Sequence, residues 1–142
     1  MKIQFADNEH RAFYEQTIQR CRNTDSYHRA LVYTLGLSPD TRSHFKDCFS
    51  IPEECIEPDA LSKGWQTSGS MKVVRMAYNL YCNGTPSVFD IEDAEGKLQE
   101  CTYYTAEELF CCGHARYFWE AIKICHPEYC FYQDWEDMYA EN

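Results

Sequence analysis

The chain has 142 residues, is 44% hydrophobic and 15% aromatic, and carries a formal net charge of −10, which suits one buried core and excludes a disordered chain. The charge is lopsided: residues 1–50 hold six acids against seven bases, net +1, and residues 51–142 hold seventeen acids against six bases, net −11. A polyanionic surface repels nucleic-acid phosphates, so direct DNA or RNA binding by the acidic part is not expected, leaving a solvated face or one matched to a basic partner.

No stretch reaches the ~18 apolar residues of a membrane span, and MKIQFADNEH lacks the apolar run of a secretion signal. The expected location is the cytoplasm, with no membrane partner. The nine cysteines are expected to be reduced there.

Asp7 or Asn8 caps a first helix reaching about residue 22, with Phe13, Thr17 and Cys21 on one stripe and Tyr14 and Ile18 beside it. Thr24 or Asp25 caps a second, carrying Tyr27, Leu31 and Leu35 and stopped by Gly36. Ser38 followed by Pro39 opens a third, with Phe45, Cys48 and Phe49 inward. Pro52 and Pro58 then mark a loop and a short helical stretch over 58–63.

The run WQTSGSMKVV starts the next helix, in which Val73, Met76, Ala77, Leu80 and Tyr81 recur at helical spacing up to Asn83-Gly84. Residues 85–101 break the pattern and read as an irregular acidic insertion. Val88, Phe89 and Ile91 suggest a short strand there, with Glu95-Gly96 as the turn of a β-hairpin around 86–101. Thr105 and Glu108 have capping-box spacing and open a helix to about 112. A last helix spans 115–125, with Ala115, Phe118, Trp119 and Ile122 on one face, before Pro127. Residues 131–142 form an acidic–aromatic tail. The expected fold is mainly α: a compact helical bundle of six or seven helices in a single domain spanning residues 1–142.

Three groups of residues invite a chemical reading. In the first, Thr67, Ser68, Gly69 and Ser70 lie at a helix N-terminus, where backbone N–H groups attract anions. Lys72 and Arg75 follow and would neutralise a phosphate, with Trp65 placed to stack a base and Arg22, Arg29 or Arg42 as further cations. The spacing is no P-loop, and an ordinary helix cap explains the same letters.

The second group is Cys111, Cys112, His114, Cys125, His126 and Cys130. Their spacings match no zinc finger or ribbon, and small buried thiols are the better account; no metal or other cofactor is expected. Nothing local pairs a cysteine with a base in a catalytic signature, so no catalytic residue is assigned and no enzyme is expected, a Cys/His enzyme remaining an alternative. The third group is acidic: Asp90, Glu92, Asp93 and Glu95 in the insertion, and Asp134, Glu136 and Asp137 in the tail. There Trp135, Tyr132 and Tyr139 would be aromatic anchors.

The segments FADNEHRAFY, CRNTDSYHRALVYTLGL, GWQTSGSMKVVRMAYNLY, ELFCC and ARYFWEAIKICHPEYC together resemble a small family of unknown function from Gram-positive bacteria, often found near mobile genetic elements. The resemblance supplies no catalytic residues. It implies a setting in which small acidic proteins act by binding, frequently against host defence. The functional expectation is therefore an inhibitor engaging a basic protein surface, such as that of a nuclease or defence complex. A nucleotide- or phosphate-binding protein using the TSGS helix start is the alternative, and a homodimer is a further occupant for an exposed aromatic surface.

Overall fold

The computed structural model describes residues 2–130. In chain order it contains helices α1 (Asn8–Ile18), α2 (Ser26–Leu35), α3 (Pro39–Ser43) and α4 (Phe45–Cys48), strands β1 (Phe49–Ser50) and β2 (Cys55–Ile56), then α5 (Ser68–Cys82), α6 (Ala94–Thr102), α7 (Ala106–Phe110) and α8 (Ala115–Cys125). Single 3-10 turns lie at Pro58–Ser62 and Pro86–Val88. The fold is mainly α, as expected.

Helix α2 is the centre. From Ala30 to Leu35 every residue is fully buried, which is why ALVYTL shows no polar stripe: a helix apolar on all sides is surrounded. Its one polar member in that run, Thr34, turns its hydroxyl back onto the Ala30 carbonyl at 2.7 Å. The most extensive contacts of α2 are with α5 and α8, followed by α1. Asp25 caps it by accepting the His28 N–H at 2.9 Å.

Helix α1 closes one side. Buried His10 donates from Nε2 to the Tyr33 carbonyl at 2.7 Å and accepts the Ala6 N–H on Nδ1 at 3.1 Å, so the neutral Nε2–H tautomer is fully used. Gly36, just after α2, makes the approach feasible: a Cβ there would sit 2.8 Å from both His10 Cδ2 and Phe13 Cδ1.

Four expectations are corrected. Helix α1 ends at Ile18 rather than about 22. The helix opened by Ser38 and Pro39 breaks at His44 into α3 and α4. The strand and turn expected over 86–101 are a 3-10 turn and α6; the β-hairpin lies instead at Phe49–Ile56, with Phe49 opposite Ile56 and Ser50 opposite Cys55. Asp93 accounts for α6, its carboxylate accepting the Gly96 N–H at 2.7 Å as a helix cap. Gly96 leaves room for this cap, because a Cβ would meet Asp93 Oδ1 at 2.8 Å and Ile91 Cγ2 at 2.9 Å and displace one of them. Finally, α8 is rotated from the expected face. Phe118, Ala121, Ile124 and Cys125 point inward and Trp119 is 44% exposed. Inward-facing Glu120 is tolerated because it accepts the Gln4 N–H and pairs with Lys123, both at 2.8 Å.

Candidate functional site

The start of α5 is a capping box. Thr67 Oγ1 accepts the Ser70 N–H at 3.0 Å, and Ser70 Oγ accepts the Thr67 N–H at 2.7 Å. Serine at the third helical position plays the part usually taken by glutamate or glutamine. The Ser70 hydroxyl proton goes to Gln66 Oε1 at 2.5 Å, and the residue is 2% exposed. Both hydroxyls thus serve the backbone. Gly69 is not held by space, since a Cβ would find its nearest neighbour, Thr67 Oγ1, at 3.9 Å.

The cations that follow are paired within the protein. Lys72 donates to the Glu108 carbonyl and lies 3.7 Å from its carboxylate. Arg75, 8% exposed, grips Glu100 with both arms, Nε to Oε1 at 2.9 Å and Nη2 to Oε2 at 3.2 Å, while its guanidinium lies 4.5 Å from the centre of the Tyr103 ring. Glu100 also accepts the Ser87 hydroxyl at 2.6 Å, which meets the Tyr104 hydroxyl at 2.8 Å. Ser68, Lys72 and Arg75 do line one cleft, of about 280 Å³, with Met71, Tyr103 and Glu108. Trp65 is not part of it. Its ring stacks on His44 at 4.4 Å and its Nε1–H donates to Asp47 at 2.9 Å.

The acidic segment has a different character. Asp90, Glu92, Asp93 and Glu95 are all exposed, and Lys97 is the one base among residues 85–102. Between these acids stand Phe89, 83% exposed, and Leu98, 70% exposed. Along α6, Ala94, Leu98 and Cys101 form an outward stripe at helical spacing. The opposite stripe, Gly96 and Glu100, faces the protein through the Asp93 cap and the Arg75 pair. The sequence assigns Phe89 to a short strand and leaves Leu98 without a role. The available clue is Leu98 between Lys97 and Gln99, whose face-mates Ala94 and Cys101 are too small to mark a core stripe. Asp134, Trp135, Glu136, Asp137, Tyr132 and Tyr139 lie outside the described residues.

No three of Cys111, Cys112, His114, Cys125, His126 and Cys130 bring ligand atoms within 4.8 Å of one another. Among the described residues the one such group is Glu53, Cys55 and Glu57 on the hairpin. Burial pushes the Cys125 thiol up to about 11 and the Cys48 thiol up to about 12, opposite to what a nucleophilic thiolate requires. His28 joins Asp25 at 2.9 Å and lies 3.4 Å from the Tyr81 hydroxyl. That hydroxyl donates to the Glu54 carbonyl at 3.0 Å, so the histidine is part of the seam between α2, α5 and the hairpin.

The Family of unknown function (DUF6075) matches residues 1–138. The chain belongs to this family. No curated protein and no solved structure matches it. The family match runs through α6 and the exposed Phe89 and Leu98, so the acidic segment lies inside the family region. Among the described residues no helix is long and apolar enough to cross a membrane.

Proposed function

We propose that the protein is an acidic docking protein, using the face formed by residues 89–98 to occupy a basic surface of another protein. The observation that carries this reading is the exposure of Phe89 and Leu98 among Asp90, Glu92, Asp93 and Glu95. Four acids steer and orient a cationic partner, and two apolar side chains supply area to bury once contact is made. Neither apolar group is consumed by the fold. A second copy of the chain is a poor occupant, because an isologous contact would set these acids against their own counterparts.

A partner that fits carries lysines and arginines around an apolar recess, as nucleic-acid-binding clefts do. The resemblance to a family often found near mobile genetic elements supports the finer form of the proposal: a cytoplasmic inhibitor filling such a cleft in a nuclease or defence complex. No active site is needed for this role.

The test is capture from lysate at low salt with wild type and two variants, Phe89→Ser with Leu98→Ser, and Asp90→Lys with Glu92→Lys. The reading expects a stoichiometric basic protein, released by ~0.5 M salt, where screening lengths fall to a few ångströms. Both variants should lose it. A partner retained by both variants, or a homodimer in sedimentation that Leu98→Ser dissociates, would overturn it.

A further inference from the structure

A second surface holds cations that the fold does not pair. Two adjoining clefts, of about 410 and 340 Å³, share Arg20, Phe45 and Lys46 in their walls. The first adds Phe13 and Arg42, and the second adds Phe49. The floor is aromatic: Phe45 packs edge-on against Phe13 at 5.6 Å and tilted against Phe49 at 6.1 Å. Each cleft is in the size range of small-molecule sites.

The cations here differ in one respect from those of α5. Arg20 and Lys46 are exposed, and neither forms an ion pair or side-chain hydrogen bond among the described residues. Arg42 is held in place, donating to the Gly36 carbonyl at 2.7 Å and pairing with Glu9 at 3.2 Å. Two acids border the clefts, Asp47 and Glu57. Asp47 already accepts the Trp65 indole N–H. With Glu9 offsetting Arg42, three cations meet three acids, so what sets this surface apart is Arg20 and Lys46, two cations in one space without an ion partner among the described residues.

We infer that the clefts sharing Arg20, Phe45 and Lys46 bind a small phosphomonoester carrying a planar ring. Arg20 offers a planar fork suited to two phosphate oxygens, and Lys46 a mobile point charge for the third. The ring packs against half-buried Phe13, above the buried Phe45, where offset and edge-on aromatic contacts add to the area buried. A dianion is favoured over a monoanion because two unpaired cations, not one, face the same space. The site lies apart from the capping box of α5, whose cations are already neutralised by Glu100 and Glu108. It does not depend on the acidic docking face.

Phenyl phosphate is the probe, titrated into the full chain at low ionic strength and followed by amide shifts, with inorganic phosphate and phenol as separate arms. Binding should saturate at about 1 mM or below, with shifts centred on Arg20, Phe45 and Lys46, and each half-probe should bind at least about tenfold more weakly. Arg20→Gln with Lys46→Gln should lower affinity about tenfold while leaving the melting temperature in place, since neither side chain has an ion-pair or hydrogen-bond partner among the described residues. Leu98→Ser should leave binding unchanged. Absence of saturation, shifts centred on Ser68 to Lys72 instead, or equal affinity in the Arg20/Lys46 variant would each overturn the inference. Because the shift map is read on the wild-type chain, it stands even if the double variant fails to fold.

Discussion

Helices α5 and α6 are neighbours in the chain and joined in space, yet they belong to the molecule in different ways. Of the fifteen residues of α5, eight are buried, the apolar ones being Val73, Val74, Met76, Ala77, Tyr78 and Leu80. None of the nine residues of α6 is. Helix α5 is held by packing against α2, and Tyr78 ties it to the hairpin end of the core, its hydroxyl lying 2.7 Å from the Cys48 carbonyl and 2.8 Å from that of Glu57. Helix α6 is held by a cap at one end and by one carboxylate, Glu100, gripped by Arg75. The first helix spends its apolar side chains on the fold. The second shows its leucine to solvent, which is why its surface is read as functional and that of α5 as structural.

The largest expected effect is on the packed side. Met76→Ala should destabilise the protein by about 3 kcal/mol, the cost of removing a buried side chain and leaving a cavity, seen as a lower urea midpoint with unchanged slope. A loss below about 1 kcal/mol would mean that α5 is not the core helix described. Next comes the link itself. Arg75→Met should cost about 3 kcal/mol, because it leaves Glu100 with an unpaired, 13%-exposed carboxylate. Adding Glu100→Met should restore most of that loss. If the double variant is as unstable as the sum of the singles, the pair is not what fastens α6 to α5.

These two helices also show what the sequence makes legible. The cap at Thr67 and the end at Asn83, in the left-handed conformation, are local hydrogen-bond chemistry and are read directly from residue types. The buried face of α5 follows from its helical spacing. Helix α6 is hidden because EGKLQE has no apolar stripe and because Gly96 reads as a turn, although it is the residue that leaves room for the Asp93 cap. The hairpin is hidden because two residues per strand cannot display an alternation. In α8 the face is misplaced by a buried glutamate, which periodicity counts as polar and which only the Gln4 and Lys123 contacts explain. The four acids of the docking face are visible in the sequence. Their apolar companions are not, because exposure depends on which side of α6 the Arg75–Glu100 pair pins down.

Mild acid acts on buried His10 and half-buried His114 and not on the segment around α6. No histidine lies in residues 85–102, whereas burial lowers the His10 pKa from its usual 6.5 and does the same to His114. Above pH 6.5 both folded and unfolded chains hold a neutral His10, and its contribution to stability is complete. As pH falls below 6.5 the unfolded chain takes up a proton that the folded chain refuses, so stability declines until the lowered folded pKa is passed. The slope is at most about 1.4 kcal/mol per pH unit for each such group. Urea midpoints measured on either side of pH 6.5 should therefore fall toward acid, and His10→Gln should flatten the trend. An unchanged slope in that variant would remove His10 as its source. Smaller again is the cap: Thr67→Ala should cost about 1 kcal/mol, by leaving the Ser70 N–H without its acceptor.

The smallest expected effect on stability is the one that most sharpens the contrast. Leu98→Ala on α6 removes more carbon than many core substitutions, yet the side chain is 70% exposed and should change stability by no more than about 0.5 kcal/mol. Alanine also has a slightly higher helix propensity than leucine, which offsets part of any packing loss. The same reasoning applies to Phe89→Ala, where 83% of the residue's surface already faces water. If both variants unfold at the wild-type urea concentration while Met76→Ala does not, the fold leaves these two apolar side chains unused, and their exposure calls for a partner. If either costs as much as Met76→Ala, the segment is packed against the core in solution and the docking face is not there to be used.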